Sequence, residues 1–221
     1  MHVLLIVIAS VVGVLTLIGA IVYAAHKYEQ ARTEEFQKVA EDLGLEFFPT
    51  GNPAVQDAVG HLRLFNQGHG RKTQNMLSGQ TDDIEIAIFG YRFITGGGKN
   101  QQTHQQTVIS FQSPHLALTE FELRPEHIFH KIGQAFGYKD IDFDSHPVFS
   151  KRFLLRGPDE AAIREFFKPE LLEFFEAHQG ISVEATGDRL IYYRAGKRIK
   201  PEEVRSFMEE GFGVYAVMKG R

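Results

Sequence analysis

The chain has 221 residues with 24 Lys and Arg against 28 Asp and Glu, a formal net charge of −4, and no cysteine. The cysteine count excludes disulfides, thiolate metal sites and cysteine nucleophiles. A mildly acidic chain lacks the basic footprint of a nucleic-acid binder, so nucleic acid is not an expected partner.

Charge and aromatic content divide the chain unevenly. No Lys, Arg, Asp or Glu precedes Lys27, and all 19 Phe lie between Phe36 and Phe212. Behind a two-residue tail (1–2), residues 3–25 read VLLIVIASVVGVLTLIGAIVYAA. Twenty-three uncharged residues, at a rise of about 1.5 Å each, suffice to cross a hydrocarbon core of about 30 Å. The competing reading, a cleaved signal peptide, is opposed by the missing basic n-region and the length of the run. The segment is therefore expected to be a signal-anchor, with the lipid bilayer as its partner. Lys27, Arg32 and Lys38 follow it, whereas only the α-amine and His2 precede it. The positive-inside rule then keeps the following domain in the cytoplasm. Ala9, Gly13, Thr16, Ala20 and Ala24 recur at intervals of three and four, a small-residue face that could support self-association.

Helical spacing continues through residues 26–43, where Phe36, Val39, Ala40 and Leu43 mark one face and Gly44 a stop. This predicts a stalk helix packed on the domain that follows. Residues 44–221 form that domain. A first strand is expected at 45–48, then a short helix capped by Asn52 with Pro53 in its first turn. The stretch NQGHGRKTQN (66–75) reads as a polar loop. Strands at 76–80, 83–93, 103–113 and 116–123 follow, with Ile84, Ile86 and Ile88 in period-two alternation and TGGGKNQQ as a hairpin tip. An antiparallel meander is the natural reading of this run.

The second half predicts a helix from Pro125, strands at 141–143 and 152–155, and helices from Pro158 and Pro169. Strands at 181–184 and 190–193 and a helix from Pro201 complete it. Segregated strands and helices indicate an α+β fold with a mainly antiparallel sheet and several helices. Pro125-Glu126, Pro158-Asp159-Glu160, Pro169-Glu170 and Pro201-Glu202-Glu203 repeat one pattern. Proline costs no hydrogen bond at a helix start, and acids there complement the dipole. These acids read as caps rather than catalysts.

Several motifs invite a chemical reading and fail on spacing. Gly96-Gly97-Gly98-Lys99 lacks the first Gly and the Ser or Thr of a phosphate loop, having Phe93 and Asn100 there. Asp140, Asp142 and Asp144 resemble the opening of a calcium loop. The sixth and twelfth positions, however, are Ser145 and Lys151. Ser110, Ser113 and Ser150 sit in no G-x-S-x-G elbow, and Arg71-Lys72 reads as a solvated turn. His127 and His130, three apart on a predicted helix, are the best metal candidates, with Asp140, Asp142 or His146 as further ligands for zinc or iron.

FELRPE at 121–126 and DIDFDSHPVFSKRFLLRGPDEAAIREFF at 140–167 resemble segments of an uncharacterised family of bacterial single-pass membrane proteins. In that family a membrane helix precedes a C-terminal domain of unknown function. The resemblance implies a bacterial membrane setting and this whole-chain architecture; it implies no activity, and both segments read as strand and helix punctuation. The expected function is accordingly a non-enzymatic protein-interaction or assembly module, bound to an unknown protein partner or to itself as a homo-oligomer. No catalytic, cofactor-binding or metal residue is assigned on this reading. The alternative is a membrane-tethered metal-dependent enzyme with its site near His127 and His130.

Overall fold

The computed structural model describes the backbone of residues 2–126 and 138–219, with side chains from residue 11 onward. It bears out the α+β expectation. A long helix, α1 (His2–Leu43), precedes eight strands, and further helices close over the sheet. The strands are β1 (Glu46–Phe48), β2 (His69–Gln80), β3 (Glu85–Thr95), β4 (Gln102–Gln112), β5 (Leu118–Pro125), β6 (Phe153–Arg156), β7 (Ser182–Gly187) and β8 (Arg189–Tyr193). They form one sheet in the order β1-β2-β3-β4-β8-β7-β5-β6, antiparallel at every step.

The meander holds from β1 to β4 and then breaks, because β8 and β7 lie between β4 and β5. At the exit of β4 the Ser113 N–H donates to the Asp188 carbonyl at the β7–β8 turn. The chain thus leaves β4 already bonded to the hairpin that displaces β5.

The predicted polar loop is mostly strand. β2 begins at His69, and Thr73 and Gln74 sit opposite Tyr91 and Gly90. The ladder is satisfied by backbone groups while the side chains of 69–72 are exposed and those of Thr73 and Gln74 half-buried, so polarity misled the sequence reading. The predicted strand at 141–143 pairs through one backbone bond only, Ile141 N–H to the Leu155 carbonyl at 2.8 Å. The Asp140 carboxylate takes the Leu155 N–H at 3.0 Å in place of a carbonyl, and the ladder ends there. A helix that the pattern missed, α3 (Pro147–Arg152), follows.

Proline marks some helix starts but not all of them. Pro169 opens α5 (Pro169–Ala177), and Pro201 opens a 3-10 turn leading into α6 (Val204–Lys219). Pro158 instead lies before Asp159, whose carboxylate caps α4 (Glu160–Phe166) by accepting from Ala162 N–H. Pro125 is the last residue of β5, paired with Phe153; the backbone turns helical at Glu126, and the remainder of the helix predicted from Pro125 lies in 127–137, outside the described residues.

Period-two alternation gives the sheet two different faces. One carries Ile86, Ile88, Ile109, Phe111, Leu123, Leu155, Val183 and Tyr192 into the larger core. The covering helices supply Phe149, Ile163, Phe167, Leu171, Phe175 and Phe207 to the same core. The opposite face carries Phe89, Tyr91, Phe93, Val108, Ile191 and Tyr193 beneath Val55, Val59, Leu62 and Phe65. Those four come from α2 (Pro53–Val59) and from the segment around the 3-10 turn at Arg63–Asn66.

α1 contains one stretch long and apolar enough to cross a membrane, and the side chains of its span are unburied. The helix continues unbroken to Leu43 and its last turns join the larger core, with Phe36 and Ala40 fully packed. Docking begins at Glu29, whose carboxylate holds the Arg198 guanidinium by two bonds of 3.0 and 2.9 Å. Arg32 donates to the Ile199 carbonyl at 2.6 Å and lies over the Phe36 ring. Thr33 donates to Asn75 Oδ1 at 3.0 Å.

Candidate functional site

On the second face, the strands at one end of the sheet carry charges where the rest carries rings. Glu122 and Arg124 alternate with Phe121 and Leu123 on β5, Arg156 follows Leu155 on β6, and Glu184 follows Val183 on β7. Register sets Arg156, Glu122 and Glu184 in one row across three strands. All four of these charged residues are buried.

Glu122 is the hub. Its Oε2 accepts from Arg156 Nε at 2.8 Å and lies 3.3 Å from Arg63 Nε. Arg124 Nε lies 2.5 Å from Oε1, in contact but off the hydrogen-bond axis. Glu184 accepts from the Leu64 N–H at 3.0 Å and from the Tyr193 hydroxyl at 3.2 Å. Burial, and then the facing Glu122 carboxylate, push the Glu184 carboxyl up to about 7. The same burial pushes the Tyr193 hydroxyl well above its ordinary range. Desolvation pulls the Arg63 guanidinium below its usual value, against the attraction of Glu122.

Beside this row lies a cavity of about 280 Å³, walled by His61, Leu62, Arg63, Phe121, Tyr138 and Thr186 together with Glu122, Arg156 and Glu184. Gly157 forms part of its floor. A Cβ there would stand 2.3 Å from the Glu120 carbonyl oxygen and 2.6 Å from Ile163 Cδ1. Only glycine lets the end of β6 approach β5 this closely.

Sequence reasoning missed this cluster, although both segments that carry the family resemblance contribute to it. FELRPE contains Glu122 and Arg124, and FLLRGPDE contains Arg156 and Gly157. Opposite charges two apart on a strand flanked by apolar residues were the available signal. Their burial depends on cover from residues 61–66, which no local pattern announces.

The motifs weighed from sequence fall elsewhere. His127 and His130 lie in 127–137, outside the described residues. Among the described residues no group of three or more His, Asp or Glu is placed to hold a metal ion. Asp140 is tied to Leu155, burial raising its carboxyl above the ordinary value. His146 pairs through Nδ1 with its neighbour Ser145. Gly98–Asn100 forms a 3-10 turn at the β3–β4 tip, a strand-to-strand connection. Arg71 is no solvated turn; it stands on β2 and folds back onto the carbonyls of Asn66, Gln67 and Gly68. Ser113 bonds the Asp83 carbonyl and accepts from Tyr215, and Ser150 holds Phe143, so both are structural.

No family model matches the chain, and no curated protein matches it in sequence. Among solved structures it is similar to the crystal structure of the mycobacterial trehalose monomycolate transport factor A, TtfA. The TM-score is 0.55 at 11% identity, over 86% of this chain and 93% of that one. At that identity the likeness is one of fold.

Proposed function

We propose that the chain is a single-pass membrane protein whose domain is a non-enzymatic module, assembling with a protein partner at the cytoplasmic bilayer surface. The observation that carries this reading is the docking of α1. The Glu29–Arg198 pair stands one helical turn past Ala25, so the stalk is not a free spacer. At about 1.5 Å per residue, four residues place the first domain contact only about 6 Å beyond the span. A domain clamped this close to the headgroups is positioned to meet other membrane proteins rather than to search solution. The fold shared with a mycobacterial transport factor supports a place beside membrane traffic, without transferring that cargo to this chain.

The test is crosslinking in intact membranes followed by purification in mild detergent. Discrete adducts containing another membrane protein, or a second copy, are expected. They should weaken when Glu29→Arg frees the docked helix and return when Arg198→Glu is added. A chain that stays monomeric and unadducted overturns the reading.

A further inference from the structure

We propose that the free end of the β2–β3–β4 ribbon is a second membrane contact, binding the anionic lipid headgroups beside the span of α1. The inference rests on α1 crossing the bilayer and adds to that reading a surface of the domain itself. It starts from the outline of the sheet. β1 pairs only with Met76–Ser78 of β2, and β8 only with Val108–Gln112 of β4. Beyond the row Gln74–Gly90–Thr107, β2, β3 and β4 run on as a three-stranded ribbon, without a neighbouring strand among the described residues.

The docking of α1 aims that ribbon at the bilayer. Thr33 is bonded to Asn75, and Leu45, just past the other end of the helix, packs against Gly79. α1 thus follows β2 in the same direction, so the way back along α1 to its span is also the way back along the ribbon. From Thr33 to Ala25 is about 12 Å, at about 1.5 Å per residue. From Gly90 to Thr95 is about 17 Å, at about 3.3 Å per residue, before the 96–100 tip is added. The tip accordingly reaches the level at which the span ends.

Charge selects the partner. Residues 58–81 and 86–119, which hold the whole ribbon, contain no Asp or Glu. They bring Arg71, Lys72, Arg92 and Lys99 to it, and none of these four is in an ion pair with a described residue. Lys72 and Arg92 are register partners, so two like charges stand directly opposite one another. Such a pair is destabilising by itself, and an anionic surface turns it into attraction. Glu29 and Glu202, on the α1 side of the same row, already stand beside Arg198 and Lys200. Acids gather at the other end of the strands, with Asp82, Asp83 and Glu85 at the β2–β3 turn and Asp188 bonded to Gln112. The ribbon and its turn are thus polarised along α1, positive toward the bilayer and negative away from it.

The experiment places the full-length chain in nanodiscs, one set of phosphatidylcholine alone and one containing phosphatidylserine. The absence of cysteine lets Asn100→Cys, Gln80→Cys and Tyr28→Cys each carry a single fluorophore, read by a quencher attached to the headgroups. The label at Asn100 is expected to be quenched in the anionic discs, far less in the neutral ones, and released at 1 M salt, where screening shortens to about 3 Å. The label at Gln80, on the acidic end, should stay bright in both. Each cation near an anionic surface is worth about fivefold in the docked-to-free ratio. Lys72→Gln with Arg92→Gln and Lys99→Gln should lower that ratio by roughly a hundredfold, and Lys99→Gln alone, on the exposed tip, by about fivefold. A tip quenched equally in neutral and anionic discs, or unchanged in both variants, overturns the proposal. So does a bright tip beside a quenched Tyr28 label, which would leave these cations to an acidic protein surface. A Tyr28 label bright in both discs shows instead that α1 does not cross the bilayer, and both readings fall.

Discussion

The residue that sets the character of the second face is Glu184, a carboxyl facing polar and charged groups from three sides. Glu122 and Arg124 approach from β5, Tyr193 from β8, and Leu64 N–H with Arg63 from the 3-10 turn. Its folded value, raised to about 7 chiefly by burial, exceeds the ordinary value of 4.5. Between those values the folded state holds a proton that the unfolded state has lost, so stability falls as pH rises through that window. Below 4.5 the contribution is fully present. Glu184→Gln removes the titration, and its amide can still accept from Leu64 N–H while donating to the Tyr193 oxygen. The variant should gain stability on the order of 3 kcal/mol at pH 8 and little at pH 5. Denaturant unfolding at the two pH values checks this, and equal gains would mean that Glu184 is ionised in both. Gly157 offers a second check on the same end of the sheet. Gly157→Ala forces its Cβ against the Glu120 carbonyl oxygen, 2.3 Å away. A loss of roughly 2–4 kcal/mol in urea unfolding is expected, because backbone on both sides must move.

At the scale of elements, what sequence reveals is what local pattern controls. The α1 periodicity, the Asn52 cap and the alternation along β3 are written in neighbouring residues, and the structure carries all three. β2 and the segment at 141–143 went the other way, because pairing there is decided by partners rather than by side-chain polarity. Burial of Glu122 and Glu184 belongs to the same class: alternation places them on a face, and only residues 61–66 decide that the face is covered. The docked part of α1 makes a direct prediction. Phe36 and Ala40 are packed in the core, and burying one large side chain contributes about 1.5–3 kcal/mol. A fragment starting at Lys27 should therefore melt roughly 5–10 °C above one starting at Gly44. Coincident melting curves would place the stalk's contacts outside the cooperative unit.

For the whole molecule, insertion and docking draw on different cations, and the structure separates them. Arg32 is buried and bonded to the Ile199 carbonyl, whereas Lys27 and Lys38 are exposed. Replacing Arg32 would disturb orientation and folding together, so it cannot report on either alone. Lys27→Glu with Lys38→Glu removes two of the cations that follow the span and leaves the docking contacts intact. The positive-inside bias then predicts that a reporter active only in the cytoplasm works when fused after Arg221 in the parent chain. It should lose much of that activity in the double variant. A periplasm-only reporter active at the same fusion in the parent would reverse the orientation. The proposed partner would then have to be sought on the outer face, with the Glu29–Arg198 clamp still holding the domain against the bilayer.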